Sequence, residues 1–271
     1  MMVGSIIVRV PAPGWKPEGY TPPVQASKLI TNSDVFVYDS LKTPQFWLIW
    51  WILCLNVTAG IGVLGQASAM SQEMFPGKVS AVAAAGFVGL MSLFNMGGRF
   101  FWASTSDYIG RKNTYFVFMV LGFALYIAVP STGAIGSVEA FVLCFLVIIS
   151  MYGGGFATVP AYLKDMFGTR YVGAIHGRLL TAWSAAGIAG PVLVNYIREY
   201  QIHHGVAKAD AYTITMYIMA GLLVIGFVCN LLIKAVHHRF HMQPEGDTAL
   251  ATAAEAGAAV AARFIRKPAS T

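Results

Sequence analysis

The stretch from Asn95 to Lys112 carries the residues of this sequence that are best suited to bind an anion. Arg99 is the one arginine that lies well inside a hydrophobic run, and Asp107 and Arg111 follow it in a short charged turn. A guanidinium is permanently charged and offers a planar fork that matches a carboxylate. Because a charge inside an apolar segment is costly to keep, such a residue is a functional candidate by default. We therefore take Arg99 as the first candidate ligand for an organic anion.

The depth of Arg99 bears on the choice between this role and a structural one. An arginine near a membrane surface can extend its charged end to the headgroups, or pair with an acid such as Asp107. Eight residues separate Arg99 from Asp107, which corresponds to about 12 Å of helix. Arg99 would then lie about two turns inside the apolar layer, which is deep for the structural alternative. We predict contact between Arg99 and the substrate.

The composition predicts an integral membrane protein. Of the 271 residues, 56% are hydrophobic and 11% are charged, whereas soluble domains carry about 25% charged residues. The apolar residues cluster in runs of roughly 20 to 25, the length that crosses the hydrocarbon core of a bilayer. The net charge of +6 sits at the ends of these runs. It suits the flanks of membrane helices better than a nucleic-acid surface.

Six hydrophobic runs define the predicted spans. A proline-rich linker precedes them, and Thr43 followed by Pro44 has the residue types of a helix start. The spans are predicted at about 44–68, 79–104, 113–131, 137–162, 172–197 and 211–235. We predict an all-α membrane protein with a linker over 1–43, a six-span domain over 44–236 and a disordered polar tail over 237–271.

An even number of spans places both ends of the chain on one side of the membrane. Lysine and arginine are concentrated before the first span and after the second, fourth and sixth. Positive residues of this kind favour the cytoplasmic side. We therefore predict that both termini and the 105–112 turn are cytoplasmic, and that the protein lies in the inner membrane of the cell.

Glycine and proline mark the places where the predicted spans can pack closely or bend. The fourth span contains Gly153–Gly155, and the fifth contains Gly187, Gly190 and Pro191. Small residues let helices approach, and glycine with proline permits a bend. We predict a hinge at Gly187, Gly190 and Pro191, with tight helix packing as the alternative.

The charged turn resembles a cytoplasmic turn that is typical of the major facilitator superfamily. The pattern is a glycine, three residues, an acid, a base, any residue, a glycine and two bases, and it falls on Ala103 to Lys112. Ala103 replaces the first glycine and Tyr108 the first base. Residues 11–15, 94–102 and 177–191 are similar, more narrowly, to the oxalate/formate antiporter family.

This resemblance implies a secondary active transporter of small organic anions, built from twelve spans in two halves of six. The linker and the six spans found here would be the second half, spans seven to twelve, with residues 1–8 as the end of span six. The chain contains one recognisable copy of the turn, so we expect an amino-terminal six-span half to be its missing partner. The alternative is a membrane fragment or half-transporter that acts only by packing with a partner.

The resemblance also assigns roles to single residues. Arg99 matches an arginine of the eighth span that contacts the substrate carboxylate in this family, and Trp183 stands where the oxalate carriers have a lysine. A site with one buried cation favours a monocarboxylate such as formate, lactate or pyruvate over oxalate, because a second carboxylate would be left unpaired. For Trp183 the alternative role is helix packing.

Weaker candidates complete the predicted site. Tyr152, Asn95 and Asn56 could line the substrate pathway, with hydrogen bonding between helices as the alternative. The motif that could gate the carrier, or merely fix its topology, consists of Asp107, Gly110, Arg111 and Lys112.

An enzyme is a poor match to this sequence. The spans hold no nucleophile with an adjacent base, no metal-ligand cluster and no nucleotide-binding loop. The tail sequence from His237 to His241 has the spacing of metal ligands, but without nearby acids or cysteines it indicates solvated side chains. We expect no cofactor, no metal and no nucleic-acid partner; the expected partners are a small carboxylate anion and the lipid bilayer.

Overall fold

The helices of this chain form a bundle of six membrane-crossing segments. The computed structural model describes residues 29–31 and 33–242, and these contain six segments long and apolar enough to cross a membrane. Their helices are α1 (Pro44–Met74), α2 (Ala81–Ile109), α3 (Arg111–Ile135), α4 (Val138–Phe167), α5 (Val172–Leu179), α6 (Thr181–His203) and α7 (Thr213–Leu232). The fifth span consists of α5 and α6. The predicted linker before residue 29 and the tail after residue 242 lie outside the described residues.

Hydroxyl side chains cap the amino-terminal ends of the helices in three of the spans. The Thr43 hydroxyl accepts a hydrogen bond from the backbone N–H of Phe46 at 3.3 Å, and Pro44 occupies the first helical position. This confirms the predicted start of the first span. Ser80 and Ser137 cap α2 and α4 in the same way. Each cap gives a partner to one of the N–H groups that a helix start leaves unsatisfied.

Several helices extend beyond the predicted ends of their spans. The first was predicted to end near residue 68 and the fourth near residue 162, whereas α1 continues to Met74 and α4 to Phe167. The hydropathy pattern reports where the apolar layer ends, but helical hydrogen bonding continues through polar residues. α2 and α4 are followed by Gly110 and Gly168, whose positive φ angles of 86° and 83° few other residues adopt readily.

The fifth span, predicted at about 172–197, is confirmed at Val172–His203, but it consists of two helices and not one. The helix breaks at Leu180, between α5 and α6. The Thr181 hydroxyl donates a hydrogen bond back to the carbonyl of Arg178 at 2.8 Å, and this local bond competes with the regular helical pattern. In contrast, α6 continues through Pro191 without interruption.

Burial divides the spans into a central and an outer set. In the most apolar part of α1 and α4, 67% and 61% of the residues are buried, compared with 22% in α2 and in the fifth span. The helix α2 packs mainly on α4, α6 packs on α1, and α3 packs on α7. The two central helices therefore support the exposed helices that carry Arg99 and Trp183.

Glycine brings α2 onto α4 at one crossing. A methyl group added to Gly98 would overlap the backbone carbonyl of Ser150, and one added to Gly153 would overlap the carbonyl of Asn95. Only the missing side chains allow so close an approach. Since Gly98 is fixed on α4, the next residue, Arg99, is held beside the same helix.

The segments that flank the six spans meet at one end of the bundle. Val35 and His241 form an isolated antiparallel bridge, and the backbone N–H of Met242 donates to the carbonyl of Asp34 at 2.8 Å. An even number of spans places both flanking segments on the same side of the membrane, which allows this contact. Which side of the membrane this end faces stays a prediction.

Candidate functional site

Arg99 lies in an open groove on the exposed side of α2. The groove has a volume of about 200 Å³ and is lined by Ser92, Asn95, Met96 and Arg99. The guanidinium carbon lies 5.7 Å from the centre of the Phe156 ring. Within the part of the chain that the structure describes, the guanidinium makes no hydrogen bond and no ion pair. Its donors are therefore available to an anion in the groove.

The Phe156 ring beside Arg99 packs against two further aromatic side chains, Tyr152 of α4 and Trp183 of α6. The ring centres of Phe156 and Trp183 are 3.4 Å apart, and Tyr152 lies 6.0 Å from Phe156 and 6.3 Å from Trp183. The structure thus brings Arg99, Tyr152 and Trp183 into one cluster. Phe156, which joins them, was not predicted from the sequence. Its position four residues after Tyr152 places both on one helix face, and this spacing could have identified it.

The two predicted asparagines occupy different places. Asn95 lines the Arg99 groove, but its side-chain oxygen is buried at the crossing with Gly153 and has no hydrogen-bond partner among the described residues. Asn56 lies elsewhere, in an internal cavity between α1, α3, α4 and α7 that it shares with Tyr126 and Tyr152. Direct contact of either asparagine with substrate stays a prediction.

Arg111 of the predicted gating motif connects three acceptors. Its guanidinium contacts Ser106 and Asp107 in the preceding helix and lies 3.7 Å from the carboxylate of Asp165 at the end of α4. The sequence placed Asp107 in the same motif but predicted none of these three contacts. Arg111 therefore ties the 105–112 turn to α4, and this is the helix that also carries Phe156.

Lys112 ties the same turn to the last span. Its ammonium donates to the carbonyls of Leu231 and Ile233 at 3.1 and 2.8 Å. In return, the Asn230 amide donates to the carbonyl of Lys112 at 3.0 Å. A cation at the carbonyl end of a helix satisfies orphan acceptors and the negative end of the helix dipole. The motif thus holds three helix ends together; its gating role stays a prediction.

The predicted hinge residues have unequal surroundings. A methyl group on Gly190 would come within 2.8 Å of the Thr58 carbonyl and 3.0 Å of the Gly62 nitrogen, whereas Gly187 has no atom within 4 Å of such a methyl. Gly190 is therefore a packing point between α6 and α1. A hinge function for this segment stays a prediction.

A polar cluster at the opposite end of the bundle was not predicted. The Arg198 guanidinium binds both carboxylate oxygens of Glu73, with its Nε at 3.0 Å. The Tyr212 hydroxyl donates to the same carboxylate at 2.6 Å. Arg198 and Glu73 are each about one-fifth exposed. The cluster joins α1, α6 and the start of α7, whose contributing residues are far apart in the sequence.

Six membrane-crossing segments and a charged turn like that at residues 103–112 are together typical of one class of transport proteins. The sequence profile of the Major Facilitator Superfamily matches residues 2–191. The chain therefore belongs to this superfamily and is a multi-pass membrane protein.

Two curated relatives cover part of the chain. It is 32% identical over 162 residues to the oxalate:formate antiporter of Oxalobacter formigenes, an alignment that covers 60% of this chain and 38% of that protein. It is 21% identical over 168 residues to the uncharacterized MFS-type transporter YhjX of Escherichia coli strain K12, covering 61% of this chain and 40% of that protein. The matched region thus spans about two fifths of the length of each relative.

Proposed function

We propose that this chain is the second six-span half of a secondary transporter that exchanges small organic monocarboxylates by alternating access. The observation that carries the proposal is the Arg99 side chain, which has no ion-pair partner among the described residues and lies in an open groove beside aromatic rings. The superfamily match and the identity with a protein named an oxalate:formate antiporter support it.

The groove gives Arg99 the surroundings that a carboxylate site requires. The guanidinium can donate two parallel hydrogen bonds to one carboxylate. The Phe156 ring, 5.7 Å away, attracts the cation and shields it from water on that side. Charge–charge attraction rises as water is excluded. An Arg99–carboxylate pair in the groove would therefore be stronger than the same pair on a water-exposed protein surface.

The charge in the groove favours a single carboxylate. Among the described residues that line the groove, Arg99 is the charged one. Trp183, in contact with Phe156, presents an aromatic wall where a second cation would be needed for a dicarboxylate. The second carboxylate of oxalate would then lose its hydration without gaining a partner, which is costly. Formate, lactate and pyruvate avoid that cost.

The exposed helices indicate where a second half would pack. α2 and the fifth span, which carry Arg99 and Trp183, are the least buried spans of the bundle. In the proposed carrier a second six-span half covers these faces and closes the groove. Rocking of the two halves exposes the site alternately to each side of the membrane. In this proposal the carrier lies in the inner membrane, and both termini of the chain are cytoplasmic.

Counterflow in proteoliposomes tests the proposal. This chain is reconstituted together with the proposed amino-terminal six-span half, and exchange of labelled formate, lactate, pyruvate and oxalate is measured. We expect exchange of the monocarboxylates. Arg99→Ala should lower the apparent affinity roughly 100-fold, because the charged hydrogen bonds lost are worth about 3 kcal/mol and each 1.4 kcal/mol is tenfold.

Arg178→Ala is the matched control. Arg178 lies in the fifth span, and its guanidinium donates to the carbonyl of Ala174 and lies over Tyr38, away from the groove on α2. Its loss should leave exchange within about twofold. Unchanged exchange by Arg99→Ala would refute the site, whereas no exchange of any carboxylate by the wild type would favour the non-transporting fragment.

A further inference from the structure

The break in the fifth span separates two helices that pack on different neighbours. The helix α6 packs on α1, and an added methyl group on Gly190 would come within 2.8 Å of the Thr58 carbonyl. Beyond this contact, the Gln66 amide of α1 donates to the side-chain oxygen of Asn195 at 2.6 Å. A bend of α6 at Gly190 would pull these contacts apart. The helix α6 is therefore held on α1.

The helix α5 is attached elsewhere. It packs mainly on α4 and also contacts the short helix Val37–Ser40, which precedes the first span. The guanidinium carbon of Arg178 lies 5.4 Å from the centre of the Tyr38 ring on that short helix. Tyr171, at the start of α5, packs edge-on against Phe36 with the ring centres 5.4 Å apart. The two parts of the fifth span are thus fixed to different parts of the molecule.

One hydroxyl group connects the break to α1. The Thr181 hydroxyl donates to the carbonyl of Arg178 at 2.8 Å and accepts from the indole N–H of Trp50 at 2.9 Å. In a continuous helix, the Arg178 carbonyl would accept from the backbone N–H of Ala182, four residues further on. The hydroxyl takes the place of that helical donor, and the Trp50 side chain of α1 binds the hydroxyl.

A second site in the chain shows that these two hydrogen bonds do not break a helix by themselves. In α4, the Ser150 hydroxyl donates to the Val147 carbonyl at 2.7 Å and accepts from the indole N–H of Trp102 at 3.2 Å. The helix α4 nevertheless continues from Val138 to Phe167. In the fifth span, by contrast, the residues before and after the hydroxyl pack on different helices. This divergent packing accounts for the break, and the hydroxyl stabilises it.

We propose that the fifth span has a hinge at Leu180, where α5 bends relative to α6, and that the Trp50–Thr181 hydrogen bond is a latch that holds the described form. Hinges are typically a few residues at the ends of elements that absorb a change in backbone angles. Leu180 is such a residue, since α5 ends and α6 begins there.

The hinge has a specific use in the proposed carrier. Bending at Leu180 lets α5 move together with the segment that precedes the first span, while α6 keeps Trp183 against Phe156. The end of the fifth span can then move without disturbing the aromatic cluster beside Arg99. This use in exchange rests on the proposed function, whereas the hinge itself does not.

Hydrogen–deuterium exchange along the fifth span tests the position of the hinge. The purified full chain in lipid nanodiscs is labelled, and the protection factors of amides 180–184 are compared with those of amides 187–193. We expect lower protection at 180–184, because local opening is easiest where the helical hydrogen bonds are interrupted. Equal or lower protection at 187–193 would favour bending at Gly187, Gly190 and Pro191 and would overturn the proposal.

Trp50→Phe tests the latch. The change keeps an aromatic ring but removes the N–H that donates to Thr181. Because one hydrogen bond of the described form is lost, exchange at 180–184 should become about five- to tenfold faster, while amides 187–193 keep their rates. Unchanged exchange at 180–184, or an equal rise along the whole span, would show that this bond does not control the hinge.

Trp47→Phe is the matched control for the latch. Trp47 lies on the same helix, and its indole N–H donates to the Leu41 carbonyl at 3.0 Å, away from the fifth span. Its loss should leave the exchange of both stretches within about twofold. Neither measurement requires transport, so the hinge can be refuted while the proposed function stands, and the reverse.

Discussion

A permanent charge in an apolar layer is costly, so it is retained only where its surroundings stabilise it or a function requires it. For Arg99 the described surroundings are an aromatic ring, an open groove and no acid. An acid partner would neutralise the guanidinium and compete with a substrate anion. The guanidinium therefore stays available, as it must be if Arg99 is to bind a carboxylate.

At the scale of a single residue, we expect Trp183→Lys to change which anion the proposed carrier prefers. The ammonium would enter the aromatic cluster near Arg99 and give a second carboxylate its partner. We expect the ratio of oxalate to formate exchange to rise at least about tenfold, equivalent to about 1.4 kcal/mol. Competition between the two labelled anions in proteoliposomes measures this ratio.

Trp183→Gln serves as the control for that exchange ratio, since it removes the aromatic ring without adding charge. An equal shift in both variants would show that ring size, not charge, selects the anion.

At the scale of helices, the α2–α4 crossing positions the candidate ligand. Gly98 lies against the backbone of α4, whereas its neighbour Gly97 has open space around it. Alanine substitutions at these two adjacent positions therefore separate the effect of helix propensity from the effect of packing.

Gly98→Ala should destabilise the chain, because its methyl group would overlap the Ser150 carbonyl. Forcing extra volume into a packed contact costs about 1 to 3 kcal/mol. Gly97→Ala meets no atom within 4 Å and should be neutral or stabilising by up to about 1 kcal/mol. Thermal unfolding in detergent compares the two; equal losses would mean that the crossing is not tightly packed.

At the scale of the molecule, polar contacts fasten the two ends of the bundle. One end has the cluster of Glu73, Arg198 and Tyr212, and the other has Lys112 bound to the carbonyl end of α7. Both sets join helices that are distant in sequence. The bundle is therefore held by polar contacts at its ends and by apolar and glycine contacts between them.

Glu73→Gln should destabilise the first of these ends. The change removes the charge that Arg198 and Tyr212 share while it keeps the shape of the side chain. We expect a loss of about 1 to 2 kcal/mol in the free energy of unfolding, reduced from the cost of a fully buried pair because both groups are partly exposed. Chemical denaturation of the chain in detergent measures it.

Lys42→Gln is the control for the end cluster. Lys42 pairs with Asp39 across exposed side chains, and such pairs contribute about 0 to 1 kcal/mol. An effect of Glu73→Gln no larger than that of Lys42→Gln would contradict a fastening role for the cluster.

Three features could be predicted from the sequence: the six spans, the capped start at Thr43 and the placement of Arg99 within an apolar run. These features are local. Hydropathy over a window reports the solvent around a segment, and a cap depends on residues three or four apart. For the same reason, the ends of the helices were less certain than their existence, because polar residues continue a helix past the apolar layer.

The tertiary structure was needed to show which distant side chains meet. It placed Phe156 between Arg99 and Trp183, gave Asp165 to Arg111, joined Arg198 to Glu73, and enclosed Asn56 in a cavity. Helix rotation and crossing determine such contacts, and a hydrophobic run that is apolar on most sides does not encode them locally. The sequence proposed Arg99 as an anion ligand, and the packing of α2, α4 and α6 placed it beside an aromatic cluster.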